Sequence, residues 1–119
     1  MLSSKYRLKK KVNFARIEID GAMHQSKSFG MGVYNRKDGD PSQFGFVIST
    51  KISKLAVVRN KIKRIMSDVI RKNLEKLKNG HDVLFLIKPS IVKIEKETLE
   101  RETYEIIIKN LQNNIISNS

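Results

Sequence analysis

The spacing of apolar residues changes several times along the chain, and each change marks an element. Near residues 13–23, Phe14 and Ile17 recur at helical spacing. Asn13 stands where an N-cap is expected, Gly21 weakens the far end, and Met23 is expected to turn inward with the other two. From Ser28 to Tyr34 the period falls to two: Phe29, Met31 and Val33 alternate with Gly30 and Gly32, which predicts a strand whose bare face lets another group come close. Asn35 to Ser42, with Asp38-Gly39-Asp40-Pro41 inside it, reads as a turn. Phe44 to Ser49 alternates again, so these two runs are expected to pair as an antiparallel hairpin. Asp82 to Ile87 is apolar at every position after the first, which suits a strand covered on both faces inside a sheet.

A long helix is expected from about Ser53 to Lys78, stopped by Asn79-Gly80. At about 100° per residue, Val58, Ile62, Ile65, Met66, Val69 and Leu77 fall on one side, and Asn60, Lys63, Arg64, Ser67 and Arg71 on the other. A last helix, from about Thr98 to Asn113, sets Tyr104, Ile107, Ile108 and Leu111 at core spacing beneath a Glu-rich exterior. No repeat or Pro/Ser-rich linker interrupts the 119 residues, so one domain over 1–119 is expected, with an ordered core of about 5–112 and loose ends, the first few residues and 113–119.

Charge changes the picture more than composition does. The chain carries 24 Lys and Arg against 12 Asp and Glu, a net charge of +12, and the excess is concentrated. Residues 1–16 hold six cations and no acid, residues 51–78 hold ten cations and two acids, and the other segments are slightly acidic. A run of cations is commonly a solvated face. Here Arg and Asn stand among the lysines, almost no acids are available to pair with them, and a second acid-free block lies elsewhere. Arg grips phosphate through a planar fork and Lys through a mobile point charge, so a polyanion bound with strong salt dependence is the expected partner. RNA is favoured over DNA, because no short helix precedes the basic one to complete a groove-reading pair. Phe14, Phe29, Tyr34, Phe44 and Phe46 are candidates for stacking on unpaired bases, although alternating Phe residues are more commonly core.

Catalytic groupings are poor. There is no cysteine, which excludes disulfides, thiolate metal sites and Cys nucleophiles. His24 and His81 lack a local partner, and Glu18 and Asp20 would point about 200° apart on a helix. Gly30 and Gly32 do not complete a phosphate-binding fingerprint. The longest wholly apolar run, Val83 to Ile87, is too short to cross a bilayer, so no membrane and a cytoplasmic location are expected.

These residues also carry a family resemblance. Arg59-Asn60-Lys61-Ile62-Lys63-Arg64 is similar to the Arg-Asn-Arg-x-Lys-Arg motif of bacterial ribonuclease P protein subunits. Ser49 to Val58 resembles that family's lead-in, Arg7-Leu8-Lys9-Lys10 followed by Phe14 its N-terminal segment, and Gly80 to Pro89 the strand after its long helix. The resemblance implies a single α+β domain in the order αβββαβα, a mixed sheet packed by helices, with a left-handed β-α-β crossover where pattern alone would choose the right-handed one. It further implies an accessory subunit of an endoribonuclease whose RNA component removes the 5′ leader of precursor tRNA with Mg²⁺ held mainly by that RNA. The partners would be ribonuclease P RNA and precursor tRNA, with no small-molecule substrate and no catalytic residue on the protein.

Carried over residue by residue, Arg59, Asn60, Lys61, Lys63 and Arg64 match the RNA-facing motif, Lys51, Arg7 and Arg71 join them, and Phe14 matches an aromatic of the leader cleft. Three positions depart from the pattern. Lys61 and Ser67 stand where Arg is common, and Glu18 where a second cleft aromatic is common. On charge alone a different RNA-binding module, such as a ribosomal protein, fits as well; a metal nuclease would rest on Glu18 and Asp20.

Overall fold

The computed structural model describes residues 2–9 and 11–112, with residues 11–13 as backbone alone. Its main elements follow the chain as α1 (Lys11–Asp20), β1 (Ala22–Gln25), β2 (Phe29–Asn35), β3 (Gln43–Val47), α2 (Ala56–Lys72), β4 (His81–Ile87) and α3 (Lys96–Leu111). Short 3₁₀ turns lie at Ser4–Tyr6, Leu74–Lys76 and Pro89–Lys93. This is the α+β order that the resemblance implies.

The strands form one mixed sheet in the order β1-β2-β4-β3. β4 is antiparallel to β2, with Phe85 opposite Met31, and parallel to β3, with Phe85 opposite Phe46. The expected hairpin between β2 and β3 therefore does not form, because β4 lies between them. Its side chains are apolar toward both faces and gain most from the inner place. The loop from Arg36 to Ser42 is long enough to step over one strand, a gap of about 10 Å. It is pinned to the start of β4: the Arg36 N–H donates to the Gly80 carbonyl at 2.8 Å, and the Gly80 N–H donates to the Asp40 carbonyl at 2.8 Å. Gly80 is left-handed at φ 81, and a Cβ there would stand 2.4 Å from the Asp38 carbonyl oxygen. The Arg36 guanidinium clasps Asp38 at 3.0 and 3.1 Å, donates to the Pro41 carbonyl, and pairs with the buried Asp82 of β4. These bonds hold it charged, the Asp38 contact foremost, against the opposing pull of burial.

Gly80 thus serves this loop and does not stop the long helix, which ends at Lys72. There the Asn73 side chain donates to the Val69 carbonyl at 2.7 Å, and a 3₁₀ turn follows. The helix also begins three residues later than expected, after an extended Leu55. At the N-terminus, Asn13 lies within α1 and is not its cap. Met23 belongs to the edge strand β1 and is 42% exposed. Pattern reasoning missed β1 because four residues are too few to show a period.

The two faces of the sheet are covered differently. α1 lies on one face, where Ile17 settles over Gly32; a Cβ at Gly32 would be 2.6 Å from the Ile17 Cγ2. This is the close approach that the glycine alternation predicts. α2 and α3 cover the other face, packing Met66, Ile70 and Ile107 on Phe29, Met31 and Phe85. Phe85 is the centre of that layer, stacked on Phe46 at 5.2 Å and edge-on to Phe29 at 5.6 Å. Each buried phenyl contributes about 2–3 kcal/mol. In α3, Leu99, Thr103 and Ile106 join Ile107 and Leu111 in the core, while Tyr104, expected there, stays outside. The helix runs two residues earlier than predicted, and Asn113 lies outside the described residues, as does the tail 113–119.

The described start of the chain, from Leu2, is docked where a loose segment is expected. Leu2 is buried, and Leu8 donates from its backbone to the Phe44 carbonyl at 2.9 Å, which lays residues 7–8 along the free edge of β3. Gly45 makes room for it: a Cβ there would be 3.2 Å from the Leu8 Cβ.

Candidate nucleic-acid interface

The geometry of α2 sorts its cations into three groups. Asn60, Arg64 and Arg71 fall within about 40° of one another on the outer ridge, and all three are exposed. Lys61 is also exposed but turned toward α3, where it lines a groove with Ile94 and Lys96. Lys63 is half-buried on the opposite flank, toward the N-terminal segment. Ser67, expected on the polar face, is instead buried on that flank, in the cleft that Leu2 also lines. The covered arc of the helix is wider than its apolar stripe because the N-terminal segment adds a wall that local periodicity does not register.

Arg59 is half-buried and donates through Nη1 to the Ser53 carbonyl at 2.7 Å. It ties the lead-in loop, with exposed Lys51 and Lys54, to the first turn of α2. Arg71 lies 3.6 Å from Asp68, the single acid of the helix. Among the described residues, Arg7, Lys51, Arg59, Lys61, Lys63 and Arg64 have no ion-pair partner. An array of cations without counter-charges attracts phosphate and releases its counterions on contact.

Beside this array an open cleft of about 250 Å³ follows the β3 edge between α1 and α2. It gathers Arg7, Phe14 and Lys63 from three separate segments, together with Leu2, Leu8, Phe44, Gly45, Phe46 and Ser67. Phe14 is half-buried and so is Phe46, whose ring already stacks on Phe85. Phe29 is core, and Phe44 is buried, with an edge on the cleft. Tyr34 lies on the α1 face with the Arg16 guanidinium 5.3 Å from its ring centre. An apolar slot with a phenyl wall and cations at its mouth can take unpaired bases while phosphates stay at the rim.

The structure thus brings Arg7, Phe14 and Lys63 together at the cleft and Asn60, Arg64 and Arg71 along the ridge. Lys51, Arg59 and Lys61 stand apart from both sets. Sequence reasoning missed Leu8, Gly45 and Arg16. The Phe44-Gly45-Phe46 alternation held a signal for the second of these, of the same kind as the one followed at Gly32. Leu8 and Arg16 depend on which segment lies beside which strand, and local pattern does not carry that.

Glu18 and Asp20 are exposed on α1. The His81 ring is bonded through Nδ1 to the Asn79 carbonyl at 2.8 Å. Among the described residues no group of three or more His, Asp or Glu is arranged to hold a metal ion, and no helix is long and apolar enough to cross a membrane.

Comparison with known proteins gives a consistent result. A family model described as Ribonuclease P matches residues 2–111. The chain is 30% identical over 122 residues to a ribonuclease P protein component from Cyanothece sp., covering 90% of this chain and 93% of that protein. A protein of the same description from Dictyoglomus turgidum is 40% identical over 84 residues, covering 70% and 68%. The fold is similar to the RNase P protein of Staphylococcus aureus, with a TM-score of 0.82 at 24% identity over 91% of this chain and 98% of that one. For the Thermotoga maritima RNase P protein the TM-score is 0.75 at 21% identity, covering 87% and 96%.

Proposed function

The chain belongs to the ribonuclease P protein family, and from that premise we propose that it binds the catalytic RNA through the ridge of α2 and the 5′ leader of precursor tRNA through the cleft beside β3. As a ribonuclease P protein component it is part of an endoribonuclease complex in tRNA processing. The cleft carries the proposal, because its volume of about 250 Å³ gathers the Phe14 ring with Arg7 and Lys63, two cations without an ion-pair partner among the described residues. A phenyl ring stacks on bases that are free of a duplex, as in a leader with splayed bases.

The division of labour follows from charge. A catalytic RNA and its tRNA substrate repel one another, and a +12 protein placed between them lowers that repulsion. The RNA would hold the Mg²⁺ that supplies the chemistry of cleavage, and this chain's residues would bind and orient the two strands. A cytoplasmic location belongs to the same proposal. Glu18, four residues beyond Phe14, is exposed and does not line the cleft, so its carboxylate leaves the cleft's own lining without an acid.

Reconstitution provides the test. Added to a transcript of a bacterial ribonuclease P RNA at low Mg²⁺, the chain should raise precursor-tRNA cleavage by at least tenfold. Phe14→Ala should raise KM for a precursor with a long leader and leave the binding of leaderless tRNA unchanged. Cleavage that does not respond to the protein would overturn the proposal, as would a Phe14 effect independent of leader length.

A further inference from the structure

A second groove, of about 190 Å³, lies on the other flank of α2, between that helix and the Pro89–Lys93 turn leading into α3. Half-buried Val58, Ile65 and Ile94 leave an open apolar floor, and Val92 at its border is 49% exposed. Lys61 of α2 and Lys96 of α3 also line it, while no carboxylate does. Glu95 and Glu97 neighbour Lys96 along the chain without lining the groove. Among the described residues neither lysine has an ion-pair partner.

An apolar floor bordered by free cations suits a flat, partly apolar group that carries anionic flanks. A nucleotide turned out of its stack has that chemistry: the base leaves water against aliphatic side chains, and its neighbouring phosphates meet the lysines. A second copy of this chain is a poor fit, since it would bring another +12 to a surface that is already positive. Lys61 lies about 100° around α2 from Asn60, so the groove borders the ridge on one flank.

We propose that the groove between α2 and α3 seats an unpaired nucleotide of the catalytic RNA, which rests on the assignment of α2 as the RNA-docking helix. Lys61 and Lys63, two residues apart, then serve different strands. Lying about 200° apart around α2, Lys61 meets the catalytic RNA and Lys63 meets the leader. The helix acts as a partition between the two.

The test uses the full chain and a transcript of a bacterial ribonuclease P RNA. A photo-reactive group attached to Val92→Cys should crosslink to unpaired nucleotides of that RNA. Lys96→Ala should weaken RNA binding three- to tenfold and make the salt slope about one unit shallower. Val92→Glu should weaken binding about tenfold. If Lys96→Ala and Val92→Glu bind as tightly as wild type while Arg64→Ala binds less well, the groove takes no RNA and the inference fails while the docking helix stands. Crosslinks confined to paired RNA, or to protein, would overturn it too. If Arg64→Ala also binds as wild type, α2 is not the docking helix and both assignments fall together.

Discussion

Arg59 and Arg64 share a motif and a charge, yet their surroundings give them different work. Arg59 spends one face of its guanidinium on the Ser53 carbonyl, so it holds the lead-in loop as well as presenting charge. Arg64 is exposed on the outer ridge and has no ion-pair partner among the described residues. Arg59→Ala should therefore lower stability by about 1–2 kcal/mol as well as RNA affinity, because a charge-assisted hydrogen bond and packed methylenes are lost together. Arg64→Ala should leave the urea midpoint unchanged and weaken RNA binding by about 1–3 kcal/mol, the worth of a phosphate contact made by a charged donor. Equal destabilisation of the two variants in urea titrations would show that Arg64 is built into the fold and is not free to dock.

At the scale of elements, the joint between α3 and the β1–β2 turn responds to pH. The Glu102 carboxylate of α3 accepts hydrogen bonds from the Ser28 backbone at 2.6 Å, the Ser28 hydroxyl at 2.8 Å and the Ser26 hydroxyl. Partial burial pushes its pKa up, but these donors outweigh that and hold it below the usual carboxylate value. A group depressed on folding stabilises the native state above its unfolded pKa, and that contribution fades as pH falls through the folded value. Unfolding free energies measured from pH 7 down to pH 3 should thus fall more steeply in wild type than in Glu102→Gln. At pH 7 the variant should be less stable by about 1–2 kcal/mol. Parallel pH profiles for the two proteins would mean that the carboxylate charge does not hold this joint. None of this was legible beforehand, since Ser26, Ser28 and Glu102 meet across more than seventy residues. What could be read were local periods: the alternation at Phe29–Val33, the doubly apolar β4, and the approach of a partner to Gly32. Strand order escaped because adjacency along the chain suggested a hairpin, whereas the inner place went to the strand with two apolar faces. The ridge cations were plain in the charge run. The burial of Ser67 was not, because the cleft it lines is shared with Leu2 and Leu8, more than fifty residues away along the chain.

Over the whole molecule, charge is sorted by element. The N-terminal segment and α2 with its flanks carry the cations, while residues 79–119, which include β4 and α3, carry six acids against five cations. If net charge alone drew the chain to RNA, removing acids anywhere would strengthen binding as much as removing cations would weaken it. Counterion release is local: it counts phosphates in contact, so the salt slope follows the docking face and is indifferent to distant charge. With five or six cations each on a phosphate, log K against log salt should fall with a slope of about −4 to −5, so a fourfold rise in salt weakens binding by about 10²–10³. Replacing Lys51, Asn60-flanking Lys61 and Arg64 together by Ala should make that slope shallower by two to three units, at about one per contact. Replacing Glu18, Asp20 and Glu105 by their amides raises the net charge by the same amount, three, yet should move the slope by less than about half a unit, since two lie on α1 and the third on the side of α3 turned from Lys96. Filter binding of both triple variants to ribonuclease P RNA at several salt concentrations separates the alternatives. Equal and opposite shifts would mean that the protein is held as a diffuse positive body and not by one face.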